Sequence, residues 1–188
     1  MLPKVSIKYL NGLLGTLPES QDGLLALVLI GATPVPSTFV AGTPYKIYGE
    51  SSLDALGITE DNNARMIELV RQFYAEASEG TPLYVVGYQA ASMAAFCTKG
   101  TGGIVRLVEE LSGEIRGVVV AVAESEGDYE GEGLYADVID SVSLAQESAE
   151  YCADSLYAPI FVLLEGAGYQ DAAALPDMSK EMHDRVAV

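Results

Sequence analysis

GLLALVLIG (23–31), GTPYKIYG (42–49), SSLDALGI (51–58), MIELVRQFYAEASEG (66–80) and TPLYVVGY (81–88) decide the fold of this chain. Leu24 to Ile30 is continuously apolar, the pattern of a strand covered on both faces. Pro34 and Pro36 stop it, because neither residue can donate to a sheet ladder. Tyr45 to Tyr48 reads as a second short strand. Ser51 or Ser52 then caps a turn holding Leu53 and Leu56, and Gly57 suits the left-handed position that closes it. From Asn62 or Asn63 the period becomes helical: Met66, Ile67, Val70, Phe73, Tyr74 and Ala77 fall on one stripe. Gly80 ends that helix with Pro82 just beyond, and Leu83 to Val86 is the next buried strand.

Working outward, the same alternation continues. A short Ala-rich helix covers about Ala91 to Cys97, followed by the Gly-rich turn KGTGG (99–103). A helix carrying Ile104, Leu107, Val108 and Leu111 precedes a strand over Ile115 to Ala123. The acidic run ESEGDYEGEG (124–133) has no apolar content to bury and reads as a hydrated loop. A long helix from about Tyr135 to Tyr157 places Val138, Val142, Ala145, Ala149, Cys152 and Leu156 on one face, and Pro159 ends it before a strand over Ile160 to Leu164. Strands alternating with helices require crossover connections. The expected class is therefore α/β: a mixed, largely parallel sheet with helices on both faces.

Toward the N-terminus, Val5, Ile7 and Tyr9 alternate with Lys4, Ser6 and Lys8, the period of a strand. The segment LNGLLGTLPESQDG (10–23) separates this strand from the rest. Residues 1–22 are thus an extended arm or edge strand with its linker, and residues 23–188 form the α/β domain. The arm strand pairs either with its own sheet or, by strand addition, with the sheet of a neighbouring copy.

The chain has 188 residues, 49% of them apolar, which is enough for one domain with a proper core. No apolar run is long enough to span a bilayer, and MLPKVSIKYL lacks the pattern of a secretory signal, so a cytosolic product is expected. Asp and Glu outnumber Lys and Arg by 27 to 10, giving a net charge of −17. Such a surface repels phosphate backbones and anionic lipid, which argues against nucleic-acid and membrane partners. Cys97 and Cys152 stand far apart among apolar residues at helical positions, the setting of reduced core cysteines.

Signs of chemistry are sparse. His183 is the only histidine, which excludes a multi-histidine metal site, and its polar surroundings read as surface. No G-x-S-x-G elbow, Walker A loop or H-E-x-x-H helix occurs. Lys99 to Gly103 has glycines ahead of a helix, but it follows a helix and its lysine precedes the glycines, so a helix–helix turn with Thr101 near the cap fits better than a phosphate loop. Glu124, Glu126, Asp128, Glu130 and Glu132 lack the ligand order of a calcium loop. No catalytic, cofactor-binding or metal-ligating residue is assigned. The tyrosines read as residues at the core edge with wet hydroxyls.

The order of the segments quoted first, joined later by GVVVAVA (117–123) and IFVLLEG (160–166), resembles the front half of contractile tail sheath proteins of phages and phage-derived injection machines. The resemblance implies a non-catalytic structural subunit without cofactors. Such subunits polymerise around an inner tube, exchange arm strands with neighbouring copies, and drive the tube through an envelope by shortening. It implies as partners other copies of the chain and the tail tube protein. It also implies a site in the host cytoplasm during assembly and in the tail or injection apparatus afterwards. Val5, Ile7 and Tyr9 would then mediate strand addition. RVAV (185–188) reads as the start of a strand, either interrupted or buried against a partner. In the sheath family the corresponding point resembles the middle of the polypeptide, so the resemblance implies an N-terminal portion or a short version. Two other classes remain open: a small α/β ligand-binding or enzymatic domain, and an acidic adaptor for a basic protein.

Overall fold

A computed structural model of the chain describes residues 23–90, 92–100, 103–123, 133–169 and 183–188. The arm residues Val5, Ile7 and Tyr9, Thr101 of the Gly-rich turn, and the acidic run 124–132 lie outside the described residues.

Leu25–Ile30 forms β1, and every residue after Leu25 in it is buried. β2 (Tyr45–Ile47) and α1 (Ser52–Ala55) follow, then α2 (Glu60–Glu76) and β3 (Leu83–Tyr88). α3 (Met93–Cys97) and α4 (Gly103–Glu110) lead to β4 (Gly117–Val122), and α5 (Ala136–Asp154) leads to β5 (Phe161–Leu164) and β6 (Val186–Ala187). The strands form one sheet in the order β2-β3-β1-β4-β5-β6. Among the described strands only β2 is antiparallel to its neighbour, so the sheet is mixed and mostly parallel as expected. The parallel strands, counted along the chain, lie in the doubly wound order 2-1-3-4-5, with a switch point between β1 and β4.

That order puts helices on both faces. α3, α4 and α5 cover one face: Met93, Phe96, Ile104, Val108, Val138 and Val142 pack on Ala26, Val28, Val86, Val118 and Val120. The other face carries α1, α2 and the loop before β2, with Leu53, Met66, Val70 and Phe39 packed on Leu27, Leu29 and Val85. Phe39 is held there by a tight turn, in which the Val35 and Phe39 backbones exchange hydrogen bonds of 2.9 and 3.0 Å. The strand beneath must be bare at that point, because a Cβ on Gly87 would sit 2.7 Å from the Phe39 ring.

Several boundaries differ from the sequence expectation for local reasons. α2 opens at Glu60 after Thr59, whose N–H donates to Asn62 Oδ1 at 2.9 Å. Asn63 then leaves helical geometry (φ −147°, ψ 53°), so the regular helix begins just past it. Its amide is diverted to the backbone of Thr33, accepting from the N–H at 2.9 Å and donating to the carbonyl at 2.8 Å. α5 is shorter than Tyr135 to Tyr157: it ends at Asp154, leaving Leu156 half-buried and Tyr157 in a left-handed conformation (φ 54°) beyond it. The expected stripe from Val138 to Cys152 is buried, as are Ser141 and Ser148 beside it. The Ser148 hydroxyl donates to the Cys97 carbonyl at 2.7 Å, which ties α5 to α3. The Asp137 carboxylate also caps α3, accepting from the N–H groups of Met93 at 2.7 Å and Ala94 at 3.0 Å. RVAV is not left over: Val186 and Ala187 pair in parallel with Val162 and Leu163 of the chain's own sheet.

Candidate functional site: contact surfaces at the sheet edge and base

Ligands of doubly wound sheets sit beyond the carboxyl ends of the strands at the switch point. Here the described polar groups at that end are turned on one another. Gly31 N–H donates to the Tyr88 carbonyl and Ala123 N–H to the Ile30 carbonyl, each at 2.8 Å. Glu165 accepts from Val122 N–H at 2.9 Å through one carboxylate oxygen and binds the Arg65 guanidinium through the other. Arg65 also pairs with Glu68. Among the described residues, no group of His, Cys, Asp and Glu is placed to hold a metal ion.

The remaining sequence candidates have structural roles. Lys99 lies over the Tyr151 ring, 4.9 Å from its centroid. Gly103, the first residue of α4, is glycine for packing, since a Cβ there would meet the Phe96 ring at 2.1 Å. Cys97 and Cys152 are free and buried. Burial, with a further push from the Asp137 carboxylate, raises the Cys97 thiol to about 12. Burial, and then Glu109, raises Cys152 to about 11. Both thiols therefore stay protonated and inert near neutrality. His183 is half-buried rather than fully at the surface.

Two surfaces stand out instead. The first is the outer face of β5. Its burial alternates, so that Val162 and Leu164 are buried while Phe161 and Leu163 remain 42% and 39% exposed. Half-buried Leu25 and Val119 continue this apolar stripe across β1 and β4, and exposed Ala187 continues it onto β6. The far edge of β6 has no partner strand among the described residues. The sequence hid this feature, because the five consecutive apolar residues IFVLL (160–164) carry no alternation from which to tell one face from the other.

The second surface is a pocket of about 370 Å³ at the opposite, amino-terminal end of the parallel strands. Its lining is more polar than apolar: Glu109, Arg116 and Tyr157 bring polar groups to it, and Val108, Leu156 and Ala158 form the smaller apolar part. Arg116 Nη1 donates to the carbonyls of Gly113 at 2.7 Å and Ile115 at 3.1 Å. Among the described residues no carboxylate reaches Arg116 to form an ion pair. Nothing in the sequence flagged this cavity, since its walls come from the ends of two helices and the starts of two strands.

Among the described residues, no helix is long and apolar enough to cross a membrane. A family model described as "DUF2586, N-terminal domain" matches residues 2–188, and the chain belongs to that family. No curated protein and no solved structure matches it.

Proposed function

We propose that this member of the DUF2586 family is a structural subunit of a contractile tail sheath, building a polymer of its own copies around an inner tube. The observation that carries the reading is the β5–β6 side of the sheet, where exposed Phe161 and Leu163 adjoin a strand edge that has no partner among the described residues. A half-covered apolar face beside unpaired backbone is a surface suited to protein contact. The ordered run of segments from Gly23 to Tyr88 supports the same reading. In this assembly Val5, Ile7 and Tyr9 of one copy add as a strand to the sheet edge of the next. Main-chain bonds supply affinity and alternating side chains fix the register. The net charge of −17 then makes assembly sensitive to salt, because neighbouring acidic surfaces must be screened or paired.

Negative-stain electron microscopy of the purified chain across concentration and salt tests this directly. Rings, stacked discs or tubes are the expected outcome, and Ile7→Pro is expected to suppress them without changing the thermal transition. A strict monomer at every concentration and salt would overturn the assembly reading.

A further inference from the structure

Tyr157 and Tyr169 are the most exposed large apolar side chains among the described residues, at 87% and 59%. They stand at opposite poles of the domain. Tyr157 follows the carboxyl end of α5 and precedes β5, whereas Tyr169 follows β5. The loop leading to Tyr169 lies beside the start of α5, where Tyr135 N–H donates to the Ala167 carbonyl at 3.1 Å. Gly168 (φ 79°) packs so closely on the Tyr135 ring that a Cβ there would sit 2.5 Å away, which fixes the turn from which Tyr169 projects.

Tyr157 is unusual in a second respect. Its left-handed backbone (φ 54°) suits Gly or Asn and strains a tyrosine. A ring that is almost wholly in water offers no intramolecular burial to offset that strain. Ser112, also on the pocket rim, has the same left-handed backbone (φ 51°) at the end of α4. Two strained helix ends thus border a single cavity, a concentration found where a site must be shaped.

The cavity's chemistry specifies its guest. Val108, Leu156 and Ala158 give a mainly polar lining a small apolar patch, against which one side of a ring can rest. A guanidinium with no ion-pair partner among the described residues suits the face of an aromatic ring. The Glu109 carboxylate suits a hydroxyl donor. An aromatic ring with a hydroxyl tip meets all of these, and the chain presents one at its other pole. We infer that Tyr169 of one copy seats in the base pocket of a second copy, between its Arg116 and Tyr157, forming a head-to-tail contact. Because donor and acceptor surfaces differ and lie at opposite ends, the contact propagates instead of closing on itself as a two-fold pair. This rests on the assembly reading and names one of its axial contacts.

Sedimentation velocity of the full chain, with Tyr169→Ala, Tyr157→Gly and Arg116→Ala variants, tests it. Each variant is expected to weaken self-association by about tenfold or more, the effect of losing a contact anchor. Tyr157→Gly is expected to raise the melting temperature at the same time, since it relieves the backbone. Mixing Tyr169→Ala, which keeps its pocket, with Arg116→Ala, which keeps its tyrosine, is expected to restore heterologous pairs that grow no further. If the wild type assembles and the three variants assemble equally well, this contact is wrong while the assembly reading stands. A wild type that forms short linear oligomers, abolished by the variants, but never rings or tubes supports the contact and removes the sheath. A wild type that never associates overturns both.

Discussion

The two faces of the sheet are unequally clad. On one, α3, α4 and α5 cover the strands from β3 to β5, and the buried residues form one cluster that reaches from Leu24 to Ala167. On the other, α1, α2 and the Phe39 loop cover β3, β1 and part of β4, and among the described residues the cover stops short of β5. The difference follows from the winding. A right-handed crossover that steps from β1 to β3 puts its helices on one side, and one that steps back from β3 to β4, and on to β5, puts them on the other. One described crossover therefore serves the second face and two serve the first. The lesson is that strand order, more than strand composition, sets which apolar residues reach the surface. Phe161 and Leu163 are as apolar as Val162 and Leu164, yet only the latter pair is buried.

The strongest way to break this comparison is to truncate a matched pair of phenylalanines. Phe96 is 1% exposed on the fully clad face, filling the space that Gly103 leaves open. Phe96→Ala is expected to cost about 3–5 kcal/mol, the range for deleting a buried aromatic ring. Phe161 lies over Gly117, where a Cβ would meet its ring at 2.4 Å, but its outer side is in water. Phe161→Ala is expected to cost about 1 kcal/mol. Guanidinium unfolding of both variants decides the matter, and equal losses would mean that the β5 face is as well covered as the other.

A smaller effect tests the clad face by titration, since both cysteines lie within it. The unfolded chain releases its thiol protons near the ordinary value of 9, whereas the folded chain holds Cys152 to about 11 and Cys97 to about 12. Between those values the folded state binds more protons than the unfolded one, so stability is intact below pH 9 and falls as pH rises toward 11. At pH 10 the loss is about 1 kcal/mol per thiol. Tyr74 and Tyr84, both raised to about 12 chiefly by burial, add to the fall above pH 10. Unfolding midpoints under reducing conditions at pH 8 and pH 10 measure it. A profile as steep in a Cys97→Ala, Cys152→Ala variant as in the wild type would place the loss elsewhere.

Local signals made much of this legible in advance. The α2 stripe, the β1 and β3 runs and the α5 stripe each announce themselves within a few turns or residues of chain, and each formed close to where its periodicity placed it. The helices end early: α2 stops at Glu76, before Ala77 and Gly80, and α5 at Asp154, before Leu156. What stayed hidden depends on partners distant in sequence. Antiparallel β2 at one edge, β6 paired within its own sheet at the other, and the diversion of Asn63 to Thr33 are set by neighbours, not by composition. The left-handed Tyr157 lies where the sequence continued a helix, because a tyrosine near a helix end carries no signal for a conformation that glycine ordinarily marks. The arm residues Val5, Ile7 and Tyr9, legible as a strand by alternation alone, lie outside the described residues.

The mildest change is also the sharpest about the bare face. Replacing Phe161 and Leu163 together by serine removes the two exposed apolar side chains of β5 and leaves Val162 and Leu164 in the core. Since these side chains are already half in water, the expected loss of stability is no more than about 1–2 kcal/mol. What should change is the surface. The wild type is expected to bind an apolar dye such as anilinonaphthalene sulfonate in its native state, and the double variant to lose most of that fluorescence. Loss of dye binding with a near-native unfolding midpoint locates the patch at β5. A variant that unfolds outright would instead mean that another part of the chain lies across the strand, and the asymmetry between the faces would then belong to the described residues and not to the whole domain.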